Sequence, residues 1–367
     1  MEEKFSREIL CRAWLQNTEG LSWRAQEALL SYFGSGEVIF DLLGGTMLAM
    51  AGEKAYKALV DGKNQGLERL AEKLLKSSAQ LVVRGQQGYP YLLEQITDPP
   101  HALFMRGTAA DDEKSIAIVG SRRETRYGRT QAYNIARELA SHGVTIVSGL
   151  ARGIDTAAHE GALAAGGRTV AVLGNGIDSV YPPENTELAK RIVDHGGAII
   201  SEFPFGAPPL AHHFPVRNRI ISGISAATLL VEGHARSGTM ITAGYAAEQG
   251  REVFALPGMV DAPGSAAPLR LLREGANICT CARDILQDMR WEEAAQKPVK
   301  EASAPSNLTD VQKLIVDQLS HEQKYFEELI GATGLAPDVL TGELAMLELD
   351  GVIESRAGRA YALLTNT

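Results

Sequence analysis

Residues 115–149 read "SIAIVGSRRETRYGRTQAYNIARELASHGVTIVSG". An apolar run from Ser115 to Val119 breaks at Gly120, a stretch with helical spacing follows and ends in Gly143, and a second apolar run begins at Val144. A strand apolar on both sides belongs inside a sheet covered on both faces, and a strand–helix–strand unit returns its second strand parallel to the first. Downstream the alternation continues. "RTVAVLG" (168–174), "AIISEF" (198–203), "AATLLVEG" (226–233), "EVFALPG" (252–258) and "NICT" (277–280) read as further buried strands. "DTAAHEGALAAGG" (155–167), "NTELAKRIVDHG" (185–196) and "GTMITAGYAAEQG" (238–250) read as connecting helices that stop at glycine. The expected fold class is α/β, a Rossmann-like doubly wound and mostly parallel sheet, with ligands beyond the carboxyl ends of its strands.

Outward from this core the pattern changes twice. Residues 1–100 hold helical segments separated by glycine turns, "SREILCRAWLQNTEGLS", "WRAQEALLSYFGSGEVIFDLL" and "GLERLAEKLLKSSA", and read as a small all-helical N-terminal domain, SAM-like or helix-hairpin-helix-like. The Rossmann-like domain is placed at 101–290. A polar, Ala- and Pro-rich linker occupies 291–305. In 306–367 three helical patterns precede a short two-stranded ribbon, the order of a winged helix.

Composition bounds the function. The chain has 367 residues, enough for two or three domains with a substantial core. Aromatics make up 6%, too few for base stacking on many exposed rings to be the main device of nucleic-acid binding. "MEEKFSREIL" lacks the pattern of a secretory leader and no apolar run approaches the ~18 residues of a membrane helix, so a cytoplasmic protein with no membrane partner is expected. Cys11, Cys279 and Cys281 form neither a disulfide framework nor a zinc pattern. The net charge is −9, unevenly spread. Residues 1–100 hold 11 Lys+Arg against 13 Asp+Glu, residues 101–290 hold 19 against 19, and residues 306–367 hold 4 against 10. In the neutral middle, 17 of the 19 cations are arginine, the side chain that forks phosphate and stacks on flat groups.

Glycine and serine clusters fall where the strands end: Gly120-Ser121-Arg122, Ser148-Gly149 with Arg152-Gly153, Gly174-Asn175-Gly176, and Ser237-Gly238-Thr239. One such loop merely turns the chain; four on one edge, with Arg122, Arg217, Arg219 and Arg236 close in topology, favour a phosphate-binding rim. "GSRRETRYG" is no GxGxxG and no Walker A motif is present, so arginine rather than lysine with magnesium is the phosphate partner and no cofactor is expected. Ser148 and Ser201 lack nucleophile elbows, which leaves no catalytic residue. His212 and His213 cannot both project to one side of a strand and lack an acidic ligand, so they read as packing rather than metal ligands. Asp155 reads as a helix N-cap, and Glu232 as the partner of an internal arginine or hydroxyl.

Together, "GSR" (120–122), "SGLARGID" (148–155), "YPPEN" (181–185), "SEFP" (201–204), "FPVRNRIISGIS" (214–225), "RSGTMITA" (236–243) and "GREVFALPG" (250–258) resemble, in order, the DNA-processing protein A (DprA/Smf) family. The resemblance implies a Rossmann-like homodimer that binds and protects single-stranded DNA and loads the RecA recombinase in natural transformation, without catalysis. It also implies that Ser121, Arg122, Arg217, Asn218 and Arg219 form a positively charged DNA pocket; Gly120, Gly149, Arg152, Gly153, Arg236, Ser237, Gly238 and Thr239 complete the expected DNA-binding set. Two stretches depart from the family: Pro268 and Leu269 stand in "APLRLLREGA" where members often show a glycine, a small residue and a polar Asn or His, and Ala211 stands where some members carry lysine. "GHARSGTMIT" after Glu232 also looks like the signature of nucleotide phosphoribohydrolases, but Thr242 stands where those enzymes need a carboxylate, which favours binding over hydrolysis. In 306–367 the acidic third helix is expected to repel a duplex, so the tail should bind protein or shield the basic groove.

Overall fold

The computed structural model describes residues 5–108, 114–235, 237–292, 309–319, 324–349, 352–356 and 360–363. The chain divides into two compact units, Met1–Ala295 and Gln296–Thr367.

The first unit opens with helices α1 (Arg7–Gln16), α2 (Trp23–Phe33), α3 (Gly36–Asp41), α4 (Gly45–Ala51), α5 (Glu53–Gln65) and α6 (Leu67–Ser77). Serines start the first three: the hydroxyls of Ser6, Ser22 and Ser35 accept the amides of Ile9, Ala25 and Val38, groups that have no partner inside the helix. Trp14, Leu15, Leu29, Ile39, Phe40, Met47 and Leu59 form their common core.

The sheet and its helices follow as β1 (Gln80–Val83), α7 (Tyr91–Glu94), β2 (Ala102–Gly107), β3 (Ser115–Val119), α8 (Arg126–Ser141), β4 (Thr145–Ser148), α9 (Ile154–Ala164), β5 (Thr169–Val172), α10 (Thr186–Asp194), β6 (Ala198–Ser201), α11 (His213–Gly223), β7 (Ala227–Leu230), α12 (Gly238–Glu248), β8 (Glu252–Ala255), α13 (Ala266–Arg273), β9 (Asn277–Ile278) and α14 (Ala282–Asp288). The strand order is β1-β2-β6-β5-β4-β3-β7-β8-β9. From β6 to β9 every pairing is parallel, while β1–β2 and β2–β6 are antiparallel. All the strands expected from buried runs are present and in the sheet. β1 and β2 carry no such signal in the sequence, and β1 lies inside residues 1–100, where only helices are expected.

Alternation along β3 shows how the faces are covered. Ile116 and Ile118 pack with Ala132, Ile135 and Leu139 of α8, whereas Ala117 and Val119 pack with Ile220 and Ile221 of α11 and with Leu93 of α7. Successive side chains of a strand point to opposite faces, so a strand apolar at every position is buried on both. The chain leaves β3 in one direction through β4, β5 and β6, then crosses to place β7 on its other side. Neighbouring connections diverge there, opening a crevice beyond the carboxyl ends of β3 and β7.

The segment carrying His212 and His213 is corrected by the structure. It is not extended: His213 opens α11, with Pro215 in the first turn, where a missing amide donor is tolerated. In the second unit, α15 (Asp310–Leu319), β10 (Lys324–Tyr325), α16 (Phe326–Thr333), α17 (Pro337–Leu349), β11 (Ile353–Arg356) and β12 (Ala360–Leu363) build a winged helix. Its ribbon gains β10 as a third strand, in the order β10-β12-β11. Ile315, Leu319, Leu329, Leu340, Leu344, Leu347 and Ile353 form its core.

Candidate nucleic-acid interface

A crevice of about 730 Å³ lies at the switch point, lined by the ends of β3 and its following loop, the start of α9, α11 and the start of α12. Gly120, Ser121, Arg122, Arg217, Asn218, Ser237, Gly238 and Thr239 all line it, so the structure brings together most of the expected set. Arg123, Tyr181 and Phe214 line it as well and were not singled out from the sequence. Arg236 lies outside the described residues.

Arg122 is exposed, and its guanidinium sits 5.0 Å from the centroid of the Phe214 ring, an arrangement that orients the cation over the ring face while leaving its N–H edge open. Arg217 approaches the same ring from within, at 5.9 Å. Unlike Arg122, it is buried, only 3% exposed. Its Nη1 donates to the carbonyl of Gly149 at 2.8 Å and to that of Val172, and its Nε donates to Asn218 Oδ1 at 3.2 Å. Glycine at 149 makes this possible, because a Cβ there would lie 2.6 Å from Arg217 Nη2. Burial holds the Arg217 pKa down, to about 10; Asp155 works against that shift and Arg122 adds to it. Burial likewise raises the Asp155 carboxyl, against the pull of Arg217 and of the amides of Ala151 and Gly149. Those amides donate to Asp155 Oδ2 at 3.4 and 3.1 Å, so the carboxylate braces the loop from the first turn of α9. An anion entering the crevice would favour charged Arg217 by the same electrostatics.

Gly153 completes the loop at φ +82, a conformation that favours glycine, and a Cβ there would meet the Ser121 carbonyl at 2.2 Å. Glu232 accepts the Thr125 amide at 3.0 Å and its hydroxyl at 2.5 Å, the hydroxyl partner expected of it. Thr125 in turn caps α8 through Gly128 N, 3.1 Å. His213 stacks on Phe203 with centroids 4.1 Å apart, and its Nδ1 lies 3.2 Å from the Gly174 carbonyl. Among the described residues no group of three or more His, Cys, Asp or Glu is placed to hold a metal.

Two of the arginines expected to meet phosphate have carboxylate partners within the fold. Arg219 is buried and its guanidinium is occupied: Nη1 and Nη2 fork Glu202 at 3.1 and 2.7 Å, and Nε donates to Asp98 at 3.0 Å. Burial disfavours its charge, but Glu202 and Asp98 more than compensate, so its pKa is raised. Arg152 is exposed but paired with Glu184. Arg122 and Arg123 line the crevice with no carboxylate partner among the described residues. No helix of the described residues is long and apolar enough to cross a membrane.

The profile of the family described as DNA recombination-mediator protein A matches residues 80–290, and that of the DprA winged helix domain matches 299–359. Protein Smf of Escherichia coli (strain K12) is 46% identical over 212 residues, a match that covers 58% of this chain and 57% of that protein's length. The X-ray structure of DNA processing protein A from Streptococcus pneumoniae superposes with a TM-score of 0.66 at 33% identity, covering 76% of this chain and 97% of that one. DNA processing protein A from Helicobacter pylori, in a structure concerned with its single-stranded DNA binding mode, matches with a TM-score of 0.53 at 28% identity over 58% of this chain and 96% of that one.

Proposed function

Because the chain belongs to the DNA recombination-mediator protein A family, we propose that it binds single-stranded DNA in the switch-point crevice, protects the strand and loads a RecA-type recombinase during natural transformation and recombination. The observation that carries this reading is the Arg122–Phe214–Arg217 stack. One guanidinium is outside the ring with open donors and another is buried beside it, so a phosphate entering over Arg122 meets a second positive charge behind the first. A planar fork recognises phosphate whatever the base, which suits a protein that must accept any incoming strand. Arg123, Asn218, Ser237 and Thr239 offer further donors around the same space.

In this proposal the protein is a cytoplasmic homodimer without a cofactor, and residues 101–290 carry the DNA site. The helices of 1–100 and the winged helix of 306–367, joined through 291–305, are accessory. The chain acts by binding and not by catalysis: Thr242 lines the crevice at the position where a phosphoribohydrolase needs a carboxylate, and a hydroxyl cannot stabilise a cationic sugar. The test is binding of labelled single-stranded and duplex oligonucleotides at two salt concentrations, with and without RecA. Tight, salt-sensitive capture of single strands and faster RecA filament formation are expected. Equal affinity for both nucleic acids, or none for either, would overturn the reading.

A further inference from the structure

We infer that Arg219 is a positioning residue for DNA capture, which clamps the rotation of α11 through Glu202 and Asp98 and so sets Arg217 and Phe214 without itself touching DNA. The inference rests on the reading of the crevice as the DNA site.

Residues two apart on a helix are separated by about 200° around its axis. Arg217 faces the crevice and the carbonyls of Gly149 and Val172; Arg219 therefore faces away, towards the end of β6 and the approach to β2. What it meets there is itself anchored. The carbonyl of Glu202 accepts Gln16 Nε2 from α1 at 2.9 Å, and Gln16 also exchanges hydrogen bonds of 2.7 Å with the backbone of Ala102 in β2. On the other side, the Arg219 carbonyl accepts Gln249 Nε2 at 3.0 Å, from the end of α12. Arg219 thus ties the crevice helix to the segments just before β2 and just after β6 and to the end of α12, with Gln16 of α1 bracing Glu202.

Apolar packing of Ile220 and Ile221 fixes how deep α11 sits but is tolerant of rotation; a two-pronged arginine–carboxylate contact is not. With side-chain tips about 6 Å from the axis, a 20° rotation would move Arg217 by roughly 2 Å, enough to lose its carbonyl contacts. A direct phosphate role for Arg219 would require the opposite: leaving the largely buried carboxylate of Glu202, and the half-exposed one of Asp98, without their cation.

Arg219→Lys separates the two roles. A lysine keeps the charge a phosphate needs but loses the fork, so as a positioning residue it should bind single strands about tenfold more weakly, with the slope of log affinity against log salt unchanged. Asp98→Asn, at a half-exposed carboxylate that the fold should tolerate, should also lose affinity at constant slope. Arg122→Ala is the reference, and should lose about 0.7 in slope. Thermal melts establish that each variant is folded. If Arg219→Lys keeps affinity, or if Arg219→Lys or Asp98→Asn lowers the slope, the positioning role is overturned. If Arg122→Ala leaves affinity and slope untouched, the crevice reading itself falls.

Discussion

Adding one methyl group at Gly149 should disturb the site from within. Gly149 is not among the glycines with positive φ, so alanine is allowed by its backbone and only space decides the outcome. A Cβ would lie 2.6 Å from Arg217 Nη2 and 2.8 Å from Cζ and Nη1, against a comfortable contact of about 3.5 Å, so roughly 1 Å must be found. The Gly149 backbone is held at its amide by Asp155 and at its carbonyl by Arg217, and the adjacent Ser148 hydroxyl holds the Ile118 carbonyl at 2.6 Å. Arg217 is therefore the group that moves, and it leaves two carbonyl partners. Overpacking of this kind costs about 1–3 kcal/mol, and each kcal/mol lowers Tm by about 1.5–2 °C in a unit of this size. Melting curves and fluorescence anisotropy with a labelled single strand would read the two effects, and both should fall. In an Arg217→Ala background the clash has no partner, so the added methyl should cost at least about 1 kcal/mol less than in the parent. Equal losses in the two backgrounds would refute the reasoning.

Incubation with nucleoside monophosphates should release no free base above background; turnover that vanishes in Glu232→Gln would instead support a hydrolase. Burial holds the His159 pKa down, to about 3. The unfolded chain takes up this proton first, so stability should be lost as pH falls below about 6.5, at roughly 1.4 kcal/mol per pH unit, and His159→Gln should flatten that acid slope in urea melts. A chain ending near Ala302 should bind single strands as well as the full chain or better, because the tail holds 4 cations against 10 acids. A large loss of affinity, with duplex binding by the isolated tail, would sink that idea.

Periodicity made the parallel core legible because β3 to β9 alternate with helices, most of which stop at glycine. The edge elements had no such signal. β1 is a four-residue strand following a helix, and its pairing with β2 is visible only once the chain is folded. α11 hid for another reason: it buries Arg217 and Arg219 on opposite sides together with Ile220 and Ile221, so no polar face marks it as a helix. Reading it as a helix would have shown that its two arginines cannot serve one site. Glu184 meets Arg152 from 32 residues away, a pairing that nothing local in "SGLARGID" announces. Phe214 stands in "FPVRNR", yet its contact with Arg122 depends on the fold bringing β3 and α11 together.

If this acidic chain captures DNA as proposed, it must keep a few cations free of its own carboxylates. Arg219 is internally neutralised and Arg152 is paired at the surface, which leaves Arg122 and Arg123 open and Arg217 buried behind them. At physiological salt the screening length is about 8 Å, so the net charge of −9 matters less at the crevice than these three groups do. With about 0.7 per phosphate contact, they limit the salt slope of single-strand binding to roughly 2 per chain. Five arginines would give roughly 3.5. Titrations across a tenfold range of salt distinguish the two values. The higher one would mean that DNA draws Arg152 and Arg219 away from their carboxylates, and the division between gripping and positioning arginines would then be wrong.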